Sequence, residues 1–206
     1  MSLLNVWVSH ATARVVVDTE GRTDEGEYFE LSKMVALPHA NAVIAGRGIN
    51  TFLAMVVEAL QLRKAPSFDA MAEQMPAVLQ TVTGYLKTQS DIPHEVIHDQ
   101  EIVLVGWSNW LMRMNAIAYA SKTAAGFVET EFSKMYYSPW LDSWGVRLFA
   151  ATNEQARVFS QEQIVHALAL DPTAPIGGRL LLAELTRDDC RISTLARVTE
   201  RALSPA

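Results

Sequence analysis

The order in which the spacing of apolar residues changes along the chain constrains the fold more than any other feature. Short β-branched runs such as Val15-Val16-Val17 fill roughly the first fifty positions. From 49 to 86 the apolar residues instead recur every three or four positions, which is the period of a helix. Strand-like runs return between 102 and 132 and again after 178. This order of strands, two helices, strands, helix and strands contains no regular alternation of strand and helix, so it favours an α+β fold.

Three helices are expected from periodicity and capping residues. The first covers 49–60 and is closed by Lys64 and Pro66, and the second covers 68–86 after a capping Ser67, with Pro76 inside it as a kink or interruption. The sequence Ser160-Gln161-Glu162-Gln163 has the pattern of a capping box and predicts the start of a third helix. The predicted strands lie within 4–18 (a hairpin), 28–31, 34–37, 42–45, 102–107, 111–120, 125–132, 180–185 and 191–198. The charged segment 19–27 is predicted to be a solvent loop, and 135–145 matches neither period.

Composition excludes several classes of protein. The chain has 206 residues, 50% of them hydrophobic and 19% charged, with a formal net charge of −6. We expect one domain over 1–206 with a large core or a large subunit interface. Acids outnumber bases and no basic stripe is present, so nucleic acid is not an expected partner. No apolar run approaches the length of a membrane span and no signal-peptide pattern is found, so we expect a cytoplasmic protein without a membrane partner.

No metal or cofactor is expected from the sequence. Cys190 is the single cysteine, which excludes an internal disulfide and a cysteine-based zinc site. His94 and His98 have the spacing of the H-E-x-x-H zinc motif. They follow Pro93 and run directly into a predicted strand, however, so the helix that this motif needs is not expected there.

Four stretches, in the same order, resemble the proteasome-type N-terminal nucleophile (Ntn) hydrolases, which include proteasome subunits and HslV. The first hairpin ends in Val15-Val16-Val17-Asp18, and a polar loop then leads to Lys33-Met34-Val35-Ala36-Leu37. A strand ends in the small-residue turn Val43-Ile44-Ala45-Gly46-Arg47-Gly48 before a long helix. Near the end, Ile176-Gly177-Gly178 opens a strand pair with an acidic turn. The resemblance implies a four-layer αββα sandwich of two antiparallel sheets, and self-association into a homo-oligomer, possibly a ring.

The resemblance also implies a set of site residues. In this family the nucleophile is the first residue of the mature chain, and its own α-amine accepts the proton because the pKa of that amine lies near 8. Ser2, sixteen positions before Asp18, matches the nucleophile once Met1 is removed. Asp18 would hold and orient Lys33, and Lys33 would favour the ionised hydroxyl. The N–H of Gly46 would point at the developing oxyanion.

Two functions of different class follow. The first is hydrolysis of an amide or peptide bond by Ser2. The second is a non-catalytic subunit of the same fold that supplies a scaffold or binding surface. The state of the mature N-terminus distinguishes them, because only a chain that begins with Ser2 has the free amine.

Overall fold

Two antiparallel five-stranded sheets account for most of the strands. The computed structural model describes residues 2–23, 25–89, 99–123, 126–132, 134–139 and 150–198. Within them the strands are Leu4–Val8 (β1), Thr12–Asp18 (β2), Glu20–Arg22 (β3), Tyr28–Glu30 (β4), Met34–Leu37 (β5), Ala42–Arg47 (β6), Gln100–Ser108 (β7), Arg113–Thr123 (β8), Gly126–Phe132 (β9), Met135–Ser138 (β10), Arg179–Thr186 (β11) and Cys190–Arg197 (β12). The helices described are Asn50–Leu62 (α1), Phe68–Leu86 (α2) and Asn153–Leu170 (α3), with a 3₁₀ turn at Pro38–Ala40. The strand orders are β10-β1-β2-β11-β12 and β5-β6-β7-β8-β9, and β3 pairs with β4.

The central strands are apolar without alternation because both of their faces are covered. In β1, Leu4 and Val6 join an apolar cluster that also contains residues of the other large sheet, such as Val43 and Val103. Trp7 points the other way and meets Phe159 of α3, with ring centroids 5.5 Å apart. Successive side chains of a strand alternate between the two faces of its sheet. A strand that is buried on both faces therefore appears in the sequence as a continuous run of apolar residues.

The first two helices cover the second large sheet through their apolar stripes. Side chains of α1 and α2 share one cluster with residues of β6, β7 and β8, including Phe52, Met75, Ile44 and Leu104. Ser67 caps α2 by accepting a hydrogen bond from the Ala70 N–H at 3.2 Å. The two helices are confirmed close to their predicted bounds, and α2 continues through Pro76 without interruption. The sheet-rich α+β class is likewise confirmed.

Three local predictions are wrong. Segment 19–27 is not simply a solvent loop, because it contains β3, and Thr19, Glu20 and Gly21 are buried. The third helix begins at Asn153, where Thr152 and Gln155 form the capping box, and Ser160 is buried inside the helix. The strand predicted from Leu111 begins at Arg113 instead, because residues 109–112 form a turn.

Candidate active site

Asp18 lies at the end of β2 with no exposed surface, and its carboxylate accepts hydrogen bonds from three residues. Its Oδ1 accepts the Leu3 N–H at 2.7 Å, and its Oδ2 accepts the Gly177 N–H at 3.0 Å. The Lys33 Nζ lies 2.9 Å from Oδ1 and 2.8 Å from Oδ2. A buried carboxylate needs such partners, since an unpaired charge in the interior is strongly unfavourable. Asp18 thus joins the start of β1, the loop before β11 and Lys33.

Lys33 is 5% exposed and its ammonium group is fully hydrogen-bonded. Besides Asp18, its Nζ donates to the Glu20 carbonyl oxygen and to Ser2 Oγ, the latter at 3.0 Å. An ammonium has three N–H donors and no acceptor, so these partners use all of its donors. Lys33 therefore acts here as a fixed cation beside the Ser2 hydroxyl.

Ser2 is half-buried just before β1. Its Oγ accepts from Lys33, and the described residues provide no acceptor for the hydroxyl proton. That proton is therefore available for transfer to a base. With Met1 attached, the Ser2 nitrogen is an amide and cannot serve as that base.

Gly46 lies on β6, the neighbour of β5, and its N–H already donates a hydrogen bond. It donates to the Lys33 carbonyl oxygen at 3.0 Å, as part of the pairing of β5 with β6. A Cβ at Gly46 would lie 2.9 Å from Ile102 Cδ1 and 3.1 Å from the Glu101 carbonyl oxygen, so close packing requires glycine here. The oxyanion role that the sequence assigns to the Gly46 N–H is inconsistent with this hydrogen bond.

A small pocket opens beside Lys33 and Gly46. Its apolar walls come from the segment before β5, from the start of α1 and from β7. The lining residues are Leu31, Ser32, Lys33, Gly46, Arg47, Gly48, Ile49, Phe52, Leu53 and Ile102. A concave, mainly apolar pocket with a few polar groups at one side is the usual form of a small ligand site.

A second polar cluster at this end of the sheets was not predicted. Ser138 Oγ accepts from Arg47 Nη1 at 2.6 Å and donates to Glu101 Oε2 at 2.5 Å. Arg47 also lies 3.4 Å from that Glu101 oxygen and 3.5 Å from Asp99 Oδ2. Burial and the hydrogen-bonded Glu101 carboxylate raise the pKa of Tyr136 well above its usual range, against an opposing effect of Arg47. The sequence signal for this cluster was weak: Arg47 stands where a small residue is usual, but nothing linked it to the other members.

Among the described residues no group of histidine, cysteine, aspartate or glutamate side chains is arranged to hold a metal ion. His94 and His98 lie outside the described residues. None of the described helices combines the length and the hydropathy that a membrane span needs.

Comparison with known proteins identifies a fold rather than a family. No protein-family model matches the chain, and no curated protein matches it. Among solved structures it is similar to Anbu, an ancestral β-subunit, from Yersinia bercovieri, with a TM-score of 0.65, 12% identity, and coverage of 98% of this chain and 88% of that one. A Gly-1 mutant of Anbu from Hyphomicrobium sp. strain MC1 also has a TM-score of 0.65, with 10% identity and coverage of 95% and 88%. The chain therefore has a proteasome-related fold.

The assignment to the family of proteasome subunits and HslV is corrected by these findings. The similar structures are Anbu subunits, and the identity of 10–12% shows a likeness of fold alone. The residues that suggested the family are an Asp ending a hairpin, a Lys before a strand and a glycine turn. Each of them also occurs widely as an ordinary strand-end or turn residue, so their order along the chain indicates a fold and not a family.

Proposed function

We propose that this protein hydrolyses an amide or peptide bond, with Ser2 as nucleophile once processing has removed Met1. The observation that carries the proposal is the contact of 3.0 Å between Lys33 Nζ and Ser2 Oγ, with Lys33 held by the buried Asp18. The same lysine lines a small, mainly apolar pocket, beside which a substrate side chain can lie. Lys33 thus connects the nucleophile to this pocket.

The α-amine of Ser2 is the proposed base. Ser2 Oγ attacks the carbonyl carbon of the substrate while its proton passes to this amine, whose ordinary pKa near 8 suits the role. The resulting ammonium then donates a proton to the leaving nitrogen as the C–N bond breaks, which leaves an ester on Ser2. Water, deprotonated by the same amine, hydrolyses the ester and restores the hydroxyl. Lys33 keeps its hydrogen bond to Oγ and stabilises negative charge there.

The Gly48 N–H is the proposed oxyanion donor in place of Gly46. The N–H of Gly46 is bonded to the Lys33 carbonyl oxygen, where β6 still pairs beside β5. Gly48 comes two residues later, beyond this bond, and lines the pocket. Its φ of 118° and the 2.2 Å between a Cβ built there and Gln100 Oε1 both require glycine.

The substrate side chain beside the cleaved bond is proposed to be apolar. Leu31, Ile49, Phe52, Leu53 and Ile102 provide most of the pocket surface. Arg47 at its edge is already paired with Glu101 and Asp99, so it does not offer a free charge for an acidic side chain. Burying an apolar side chain in such a pocket is favourable at about 25 cal/mol per Å².

We also propose a four-layer order and self-association for the whole chain as one domain. Separate apolar clusters join α1 and α2 to one sheet, the two large sheets to each other, and the other sheet to α3, which supports the order αββα. Large exposed apolar residues such as Leu62 and Trp110 support an assembly of several copies, for example a ring.

The test is covalent labelling of Ser2. The chain is produced without added residues, and its intact mass shows whether Met1 is removed. Incubation with a hydroxyl-reactive β-lactone should add one acyl group to Ser2, found by peptide mapping. Ser2→Ala should remove the label, and Lys33→Ala should slow labelling by about 100-fold or more.

The control is Ser193→Ala, which changes an exposed serine on β12 and should label normally. Retention of Met1, or equal labelling of the Ser2→Ala variant, would contradict the proposal. A chain that keeps Met1, takes no label and still assembles would instead have the non-catalytic scaffold function.

A further inference from the structure

The end of the molecule remote from Ser2 exposes an apolar turn. The turn between β7 and β8 presents Trp110, Leu111 and Met112, which we call the apolar tip, and Trp110 is 74% exposed. Asp69 of α2 holds this turn in place: its carboxylate accepts the Ser108 hydroxyl at 2.6 Å and the Asn109 N–H at 2.8 Å. A fixed turn that exposes three consecutive large apolar residues is unusual in a monomer and indicates an interaction surface.

A groove with an acidic rim runs beside the apolar tip. Its walls come from the first half of α2, from the tip, and from β8 and β9. Three glutamates lie along it, namely Glu73, Glu129 and Glu131. Glu131 lies 4.0 Å from Arg113, whereas Glu73 and Glu129 have no ion pair among the described residues. The groove therefore suits a segment that is both apolar and basic.

This chain exposes such a segment at the end of α1. Leu62 is 76% exposed, and it is followed by the exposed Arg63 and Lys64, which we together call the basic end of α1. Neither cation has an ion-pair partner among the described residues. Residues of α1 do not contribute to the lining of the groove.

We propose that the basic end of α1 of one copy binds in the acidic groove of a second copy. Leu62 would pack on the apolar tip, while Arg63 and Lys64 would lie beside Glu73 and Glu129. An anionic membrane surface is a poorer match, because the groove is acidic and the chain carries a net charge of −6. The inference rests on the self-association proposed above and is independent of the hydrolase activity.

Two charge-reversed variants test the contact. The groove variant is Glu73→Lys with Glu129→Lys, and the end variant is Arg63→Glu with Lys64→Glu. Each alone places like charges at every contact and should weaken association by about tenfold or more. A mixture of the two restores a favourable pairing in both directions. The basic end of the groove variant meets the acidic groove of the end variant, and the acidic end of the end variant meets the basic groove of the groove variant. Sedimentation velocity of each variant and of the equimolar mixture gives the readout.

The unmodified chain should assemble, each variant should be mostly dissociated at the same concentration, and the mixture should assemble again. Glu162→Lys, an exposed change on α3, is the matched control and should assemble normally. Circular dichroism of each variant checks that it is folded. Assembly of the single variants, or a mixture that stays dissociated, would overturn the proposed contact while leaving the hydrolase and self-association proposals intact. A monomeric unmodified chain would overturn both this contact and self-association.

Discussion

Two clusters at one end of the sheets contain the same three groups, a cation, a carboxylate and a serine hydroxyl. Lys33, Asp18 and Ser2 form one, and Arg47, Glu101 and Ser138 form the other. In both, the cation donates to the hydroxyl oxygen and is paired with the carboxylate. They differ in the hydrogen bond that the hydroxyl donates. Ser138 donates one to Glu101, whereas the described residues offer the Ser2 hydroxyl no acceptor.

This difference distinguishes a structural serine, Ser138, from the serine that we propose to be the nucleophile, Ser2. A hydroxyl that both accepts from a cation and donates to a carboxylate is held between them, and Ser138 is 2% exposed. The Ser2 hydroxyl is half-buried, and among the described residues its oxygen only accepts a hydrogen bond, from Lys33. The first cluster is therefore the one to which we assign the proposed chemistry, and the second holds β6, β7 and β10 together.

The largest effect on stability is expected from Asp18→Ala. This change leaves the buried Lys33 without its counter-charge and leaves the N–H groups of Leu3 and Gly177 without an acceptor. We expect the free energy of unfolding to fall by about 3–5 kcal/mol, measured by urea denaturation.

The matched control is Glu184→Ala, which removes a surface partner lying 3.8 Å from Arg14. Exposed pairs contribute about 0–1 kcal/mol, so this loss should be small. If Asp18→Ala were no more destabilising than the control, the Asp18 pair would not be the structural centre of the first cluster.

The second prediction concerns Ser138→Ala. Arg47 and Glu101 keep their direct contact at 3.4 Å but lose the hydroxyl between them. We expect a loss of about 1–3 kcal/mol in the free energy of unfolding, as for a buried hydrogen-bonding group left without its partner. Labelling of Ser2 should continue, and the exposed Ser193→Ala should change stability by less than about 0.5 kcal/mol. Loss of Ser2 labelling in a folded Ser138→Ala protein would show that the two clusters are not separate.

The first cluster was more predictable from sequence than the second for a physical reason. Asp18 and Lys33 each adjoin a strong strand signal, at the end of one run and the start of another, so pattern and resemblance could place them. Arg47, Glu101 and Ser138 lie on three strands whose contact depends on how the two sheets pack, which no local pattern encodes. The hydrogen bond of the Gly46 N–H could not be predicted from a local pattern either, because it depends on the register of β5 against β6.

The corrections to the third helix and to segment 19–27 have the same physical reason, because the burial of these residues depends on contacts between distant parts of the chain. Thr152 and Ser160 are both followed three residues later by a glutamine, and only burial against Asn5 of β1 decides that Ser160 is internal. The buried part of 19–27 is polar in sequence, and its contact with Lys33 uses the backbone carbonyl of Glu20, which no side-chain pattern can indicate. Periodicity predicted the first two helices well, since their stripes need only one apolar face.

The third prediction uses Tyr136, whose pKa is raised first by burial and then by the neighbouring Glu101 carboxylate of the second cluster. Because the folded-state pKa lies above the unfolded value of about 10, the contribution of this tyrosine is complete below pH 10 and is lost as the pH rises from there. Tyr136→Phe should therefore reduce the alkaline decline in the free energy of unfolding, by at most about 1.4 kcal/mol per pH unit. Denaturation between pH 9 and 11 measures it, with the exposed Tyr85→Phe as control. An unchanged decline would mean that Tyr136 is not buried beside Glu101.

The smallest change in stability is expected for Ser2→Ala, the variant that should abolish the proposed hydrolysis. Ser2→Ala removes one acceptor from Lys33, which keeps both Asp18 oxygens and the Glu20 carbonyl. The free energy of unfolding should change by less than about 0.5 kcal/mol, in contrast to Ser138→Ala. Urea denaturation of both variants in one buffer makes the comparison direct. If Ser2→Ala destabilised the protein as much as Ser138→Ala, Ser2 would hold the structure just as Ser138 does. A hydroxyl retained at the start of β1 without a structural contribution is what a nucleophile at this position requires.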